Sequence, residues 1–245
     1  FEFTLEEAIT EYLVEYDYYP VIVEMTPDEL EEYRIYSRKL ATEVNKDEEK
    51  RDEEAIQRLQ INRVQIIKSA ENKYQALLKT LDELDTPDHL LVYTNYEQID
   101  HVQELLNERN IRQHKFTAKE DNHERQQILN RFESGNLDAL VAMRCLDEGI
   151  DIPSVKQAIL MSNSGNSMQF IQRRGRVLRP APGKDPATIY DLLVVPTTNP
   201  DRTLITSEKG ILQSEIARFD EFASTARNEI QARNIIQPLR TNYEV

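Results

Sequence analysis

The sequence predicts an α/β fold: a parallel sheet with flanking helices, preceded by a helical pair and followed by a C-terminal helical tail. The first reason is that short apolar runs alternate with helical segments of about 10 to 15 residues, the pattern of βαβ units. The second is that the chain carries helical signals on either side of this region, over 28–85 and in the tail after 198. We therefore divide the chain into four parts: a leading segment (1–27), a helical pair (28–85), the α/β region (86–197) and a C-terminal helical extension (198–245).

The helical pair begins with a clear N-terminal signal. Thr26 has the position of an N-cap, Pro27 that of a first helical residue, and two acidic residues follow. We expect one charged helix to about residue 45 and a second to about residue 84. Before them, YDYYPVIVEM is expected to be extended, because it is rich in aromatic and β-branched residues.

The α/β region supplies the predicted sheet. The expected strands are HLLVYT (89–94), IRQHKFT (111–117), ALVAMR (139–144), VKQAILM (155–161) and TIYDLLVV (188–195). Helices are expected over 96–109, 121–135 and 167–178, with Gly135 as a C-terminal cap, and the tail over 203–236.

Net charge and cysteine content limit the possible functions. The formal net charge is −14, but residues 1–56 contain 18 Asp/Glu and six Lys/Arg, so the rest of the chain is nearly balanced. A local basic patch for nucleic acid is therefore compatible with the total. The single cysteine, Cys145, predicts a reducing, cytoplasmic setting, and the lack of an apolar run of about 18 residues predicts no membrane span.

A cluster of arginines is the strongest candidate site. In QFIQRRGRVLRP (169–180), Gln172, Arg176 and Arg179 have the i, i+4, i+7 spacing of one helix face. Arginine suits phosphate because its planar fork bonds two oxygens at once. A surface helix paired with the many acids is the alternative, and the spacing favours anion binding. The roles of Arg173 and Arg174 stay open between nucleic acid and salt bridges.

Polar residues at strand ends are the second group of candidates. Gly149 and Asp151 follow the strand ALVAMR, where a carboxylate can accept a hydrogen bond from a ribose hydroxyl or simply cap a turn. Thr94, Asn95 and Thr117 end two other strands and could position a phosphate backbone, although for each residue alone a helix cap is the favoured explanation.

A nucleotide phosphate loop is absent from the sequence. GKDPA (183–187) lacks the leading glycine and the hydroxyl after lysine, and no acidic strand-end box suits Mg²⁺. The four histidines have no metal-ligand spacing, so no metal site is predicted. The chain is therefore expected to bind anions without holding a nucleoside triphosphate and its metal unaided.

Three motifs together resemble a known family. LLVYTNYEQ, ALVAMRCLDEGIDIPSVKQAILM and QFIQRRGRVLRP, in this order, look like motifs IV, V and VI of superfamily 2 helicases, in the branch of XPB-type DNA helicases and type III restriction helicase subunits. The resemblance covers about residues 86–197. It implies a second RecA-like domain, with ATP and Mg²⁺ held mainly by a first RecA-like domain that this chain lacks.

Residue roles follow from this resemblance. Arg179 would be the arginine finger, Arg176 would assist it, and Gln172 would face the γ-phosphate or the attacking water. Gly149 and Asp151 would face the ribose of ATP. The nucleic-acid backbone would be contacted by Thr94, Asn95 and Thr117, with Arg144 replacing by charge the hydroxyl that many relatives have early in motif V.

The implied function is the C-terminal half of an ATP-dependent DNA helicase or translocase, inactive as an ATPase without the first domain. An RNA helicase is an alternative, because a groove that follows the backbone carries little base information. A non-catalytic module that docks a protein partner through the helical segments is another. The chain begins with Phe1, and we expect it to be part of a longer protein.

Overall fold

The structure is a computed structural model that describes residues 15–84, 86–117, 119–143, 155–162, 186–200 and 205–245. Its strands are β1 (Tyr16–Glu24), β2 (Leu90–Tyr93), β3 (Gln113–Phe116), β4 (Ala139–Ala142), β5 (Gln157–Leu160) and β6 (Ala187–Val195). Its α-helices are α1 (Pro27–Val44), α2 (Glu53–Lys68), α3 (Asn72–Glu83), α4 (Ile99–Glu108), α5 (Asn122–Glu133), α6 (Ile205–Ala223) and α7 (Glu229–Tyr243). A short 3₁₀ turn, Glu48–Lys50, lies between α1 and α2.

The described strands form one six-stranded sheet in the order β1-β6-β5-β2-β4-β3, with parallel pairing throughout. The predicted parallel sheet with flanking helices is therefore confirmed. The strand predicted at YDYYPVIVEM is β1, which pairs with β6 over its whole length. The leading segment thus supplies an edge strand of the same sheet.

Both faces of the sheet are covered by helices, which explains why the central strands are continuous apolar runs. Leu91 and Tyr93 of β2 face a core shared with α5, α6 and α7. Leu90 and Val92 face a second core shared with α1, α2, α3 and α4. Every residue of β2 and β4 is buried, so the residues at the carboxyl ends of these strands are held by a packed core.

The N-terminal signal at Thr26 works as predicted. The Thr26 hydroxyl accepts from Glu29 N at 3.3 Å, and the Glu29 carboxylate accepts from Thr26 N at 2.8 Å, which completes a capping box. The Gly135 prediction is also confirmed, since this residue follows α5 with φ of +72°.

The prediction that the second helix of the pair runs unbroken to about residue 84 was wrong. The chain breaks at residues 69–71 into α2 and α3, because the two helices pack on different partners. α2 contacts α1, whereas α3 contacts β1 and β6 and buries Leu77 and Leu81. Ala70, at the break, is fully buried.

The C-terminal tail likewise forms two helices, and its second helix continues beyond residue 236 to Tyr243. The turn between them covers the edge of β1. Asn228 Oδ1 accepts from Tyr18 N at 2.8 Å, and Asn228 Nδ2 donates to Tyr18 O at 3.1 Å. The same side of β1 contains Pro20, which has no N–H to satisfy. An amide side chain thus takes the place of a neighbouring strand at this edge.

A buried group of polar residues joins α6 to the sheet; we call Tyr18, Asp191, Glu215 and Arg218 the Asp191 cluster. Arg218 Nε donates to Asp191 at 3.2 Å, and its two terminal nitrogens donate to Glu215 at 2.9 and 2.8 Å. Tyr18 donates to Asp191 at 2.9 Å. Burial and the Asp191 charge together raise the pKa of Tyr18 well above its ordinary value, so its hydroxyl remains a donor.

Candidate functional site

The predicted site residues fall into two groups in the structure. Thr94, Asn95 and Thr117 lie among the described residues. The remaining six lie outside them: Arg144, Gly149, Asp151, Gln172, Arg176 and Arg179. The structure therefore bears only on predicted nucleic-acid contacts, and the residues predicted to face ATP lie outside its described ranges.

Strand register sets the geometry of this edge. Tyr93, the last residue of β2, is level with Ala142 of β4 and Leu160 of β5. The next residues of these strands therefore emerge at one edge of the sheet. Thr94 N donates to Ala142 O at 2.8 Å, which extends the ladder by one residue. Ligands bind at this carboxyl edge in open parallel sheets.

A cleft of about 280 Å³ lies over the ends of β2, β4 and β5. Its floor comes from the strand ends and one wall comes from the C-terminal end of α2. The residues around it are Gln65, Lys68, Tyr93, Thr94, Asn95, Tyr96, Glu97, Met143 and Ser162. Two of the three described candidates, Thr94 and Asn95, are thus brought together in one cleft.

Asn95 links the strand end to the wall of the cleft. Its Oδ1 accepts from Gln98 N at 2.9 Å, in the manner of a cap on the turn before α4. Its Nδ2 donates to Lys68 O at 3.4 Å. Asn95 is therefore both a cap and a bridge between the α4 turn and α2.

Thr94 is more buried than its predicted role requires. Its side chain belongs to a residue that is 2% exposed, and its hydroxyl donates to Gln98 Oε1 at 3.1 Å. In this arrangement the hydroxyl proton is directed toward Gln98 and away from any ligand. Thr94 shapes the floor of the cleft.

Thr117 lies two strands away from Thr94, because β4 separates β2 from β3. At the usual strand spacing this is roughly 10 Å. Its hydroxyl donates to the Glu120 carboxylate at 2.9 Å, and its backbone N donates to the same group at 2.7 Å. The observed geometry is that of a turn cap, the alternative that the sequence had left open.

Lys68, Gln65 and Tyr96 are among the cleft residues that sequence reasoning missed. Lys68 and Gln65 come from α2, and Gln65 Nε2 donates to Glu97 Oε2 at 2.5 Å. Tyr96 is 67% exposed, and Lys119 Nζ lies 5.6 Å from the centre of its ring. The position of Tyr96 directly after Thr94 and Asn95 was a usable signal. No local signal indicated that α2 would reach the sheet edge.

A buried lysine supports the wall from below. Lys73 Nζ donates to Lys68 O at 3.0 Å, so the last carbonyl of α2 has a hydrogen-bond donor from α3. Lys73 is 3% exposed, and burial lowers its pKa to about 7, with Glu215 and Asp191 acting in the opposite direction. The C-terminal end of α2 is thus hydrogen-bonded both to Asn95, in the turn before α4, and to the buried Lys73.

Metal-ligand clusters and membrane-spanning helices are both missing from the described ranges. These ranges contain no group of three or more His, Cys, Asp or Glu side chains arranged to hold a metal ion. No helix within them is both long enough and apolar enough to cross a bilayer.

Much of the region around this cleft is similar to part of known proteins. Residues 72–181 match the family model described as the helicase conserved C-terminal domain. The DNA 3′-5′ translocase XPB2 of Sulfurisphaera tokodaii is 44% identical over 63 residues, which are 26% of this chain and 14% of that protein. The chain therefore matches only a small part of the relative's length.

Solved structures show the same fold at low sequence identity. The C-terminal part of the Fun30 ATPase domain superposes with a TM-score of 0.60 at 13% identity, over 83% of this chain and 89% of that one. The Sulfolobus solfataricus SWI2/SNF2 ATPase core in complex with dsDNA gives 0.59 at 15% identity, over 94% of this chain and 52% of that one.

Proposed function

Because the chain carries a superfamily 2 helicase C-terminal domain with the RecA-like fold and XPB-like relatives, we propose that it is the C-terminal half of an ATP-dependent DNA helicase or translocase. It supplies the arginine finger and part of the nucleic-acid track. It does not hydrolyse ATP without a first RecA-like domain, which would hold most of the ATP and its Mg²⁺. DNA is favoured as the track because the relatives are named for DNA translocation and for a complex with dsDNA.

The ATP-facing roles rest on motif VI and motif V. Arg179 would stabilise the charge that develops during phosphoryl transfer, with Arg176 beside it and Gln172 facing the γ-phosphate or the water. Such arginine fingers contribute about 10³-fold or more to the rate. Gly149 and Asp151 would face the ribose. ATP supplies the free energy of the cycle, and these residues complete its site when the two domains close.

The observation that carries the nucleic-acid role is the cleft at the carboxyl edge. Lys68 lines it from α2, and Lys119 stands beside Tyr96 at its rim. Arg144 follows Met143, which also lines the cleft. Among the described lining residues the one carboxylate, Glu97, accepts from Gln65. Lys68 and Lys119 favour a backbone phosphate here, and Arg144 adds a cation next to Met143 in the sequence.

Hydrogen bonds around the predicted contacts support a different division of roles among them. Asn95 stays in the proposed interface, because its amide lies in the cleft beside Lys68. Thr94 and Thr117 act by shaping the strand-end turns, since both hydroxyls donate to neighbouring side chains. Direct phosphate contact then passes to Lys68, Lys119 and Arg144.

Salt-dependent DNA binding tests this proposal. The affinity of the chain for a fluorescein-labelled DNA strand is measured by anisotropy at several salt concentrations, for wild type and Lys68→Ala. Loss of one phosphate contact should reduce the slope of log K against log salt by about 0.7 to 0.9.

Lys79→Ala is the matched control, because Lys79 lies on α3 with its side chain 79% exposed and does not line the cleft. Its slope should equal that of wild type. Equal slopes for all three proteins would remove the cleft from the nucleic-acid track.

A further inference from the structure

Tyr96 is exposed in a way that packing does not explain. It is the only aromatic residue among the large hydrophobic side chains that the described residues leave exposed, at 67%. It directly follows Thr94 and Asn95, at the rim of the cleft. The neighbouring Tyr93 is buried in the sheet, so the chain passes from a core tyrosine to a solvent tyrosine within three residues.

Two lysines lie near the rim of the cleft, one beside the Tyr96 ring and one on the α2 wall. Lys119 Nζ stands 5.6 Å from the ring centre, within the range of a cation–π contact. Lys68 lies in the same cleft, on the wall formed by α2. An exposed aromatic face with one lysine beside it and a second in the same cleft has the composition of single-strand binding sites, where bases stack on rings and cations follow the backbone.

We propose that Tyr96 is a stacking platform for one unpaired nucleobase, with Lys119 and Lys68 holding the flanking phosphates. This inference rests on the proposed nucleic-acid function and names a contact within it. The platform favours a single strand over a duplex, because the faces of paired bases are already stacked on one another. It is indifferent to base identity, since every base has a π-face.

An abasic strand separates stacking from phosphate contact. The chain is titrated with an oligothymidylate of about 12 nucleotides, a length within the usual range for such sites, and with an abasic strand of equal length. Both strands carry the same phosphates, and only the first can stack. Wild type, Tyr96→Ala and Tyr96→Phe are compared, with Ile61→Ala as a control at another exposed apolar residue, 57% exposed on α2.

Tyr96→Ala should weaken binding of the thymidylate strand by roughly fivefold or more and leave binding of the abasic strand unchanged. Tyr96→Phe and Ile61→Ala should bind both strands like wild type. Circular dichroism of each variant checks that the fold is retained.

Two results overturn the inference while leaving the proposed function intact: an unchanged affinity of Tyr96→Ala for thymidylate, or an equal loss for both strands. If wild type binds neither strand, the proposed nucleic-acid function fails, and the stacking role fails with it. The two failures are therefore distinguishable.

Discussion

Replacing Arg218 by methionine should destabilise the fold by about 3–5 kcal/mol, because the change leaves two buried carboxylates without their cation. The Asp191 side chain is fully buried and that of Glu215 is 10% exposed. Arg218 donates to both, at distances from 2.8 to 3.4 Å. Methionine keeps most of the side-chain volume, so the expected loss comes from the charge and its hydrogen bonds.

Urea unfolding measures this loss. At an m-value of about 2–3 kcal/mol/M, typical of larger domains, the midpoint should fall by roughly 1–2 M. Adding Asp191→Asn to the variant should recover part of the loss, because one of the stranded charges is removed.

Arg109→Met is the matched control for exposure. Arg109 Nε donates to Asp82 at 3.1 Å, but the Asp82 side chain is 66% exposed. Such surface pairs are worth about 1 kcal/mol or less. A loss at Arg218 no larger than the loss at Arg109 would refute the view that the Asp191 cluster anchors α6 to the sheet.

Three further changes test individual features. Lys73 holds its proton less tightly when folded, with a pKa lowered by burial from 10.5 to about 7. Wild type should therefore gain stability relative to Lys73→Met as pH rises from about 7 toward 10, by at most about 1.4 kcal/mol per pH unit; parallel curves of unfolding free energy against pH would contradict this. Thr26→Ala should cost about 1 kcal/mol in urea unfolding by removing the capping box, whereas Thr42→Ala, exposed within α1, should cost little. Gly135→Ala should lower the melting temperature by an amount equivalent to about 1 kcal/mol, because φ is +72°; no change in a thermal melt would argue against a left-handed cap there.

The strands and most helices could be predicted because their signals are local. β2 and β4 are short apolar runs, and burial on both faces of a parallel sheet requires that composition. The start of α1 is set by Thr26 and its own neighbours. Features that depend on distant packing were not predictable. The break at Ala70 exists because α3 meets the sheet, and the turn at Asn228 exists because the edge of β1 needs partners.

In the candidate site, too, features set by local sequence could be predicted and features set by distant packing could not. The strand-end rule put Thr94 and Asn95 at the carboxyl edge of the sheet, where both line the cleft, and their contact with nucleic acid stays a prediction. It could not show that the two threonine hydroxyls would donate to Gln98 and Glu120, since that depends on the turn conformations. Lys68 was missed because it is 27 residues before Asn95 in the sequence and reaches it only through the break after α2.

We propose that this chain completes an ATPase together with a first RecA-like domain. The most direct measurement is DNA-stimulated ATP turnover by a longer protein that joins residues 1–245 to a first RecA-like domain, compared between wild type and Arg179→Ala. We predict that turnover falls by about 10³-fold or more while the affinity for DNA is unchanged. Turnover by Arg179→Ala within tenfold of wild type would contradict the account.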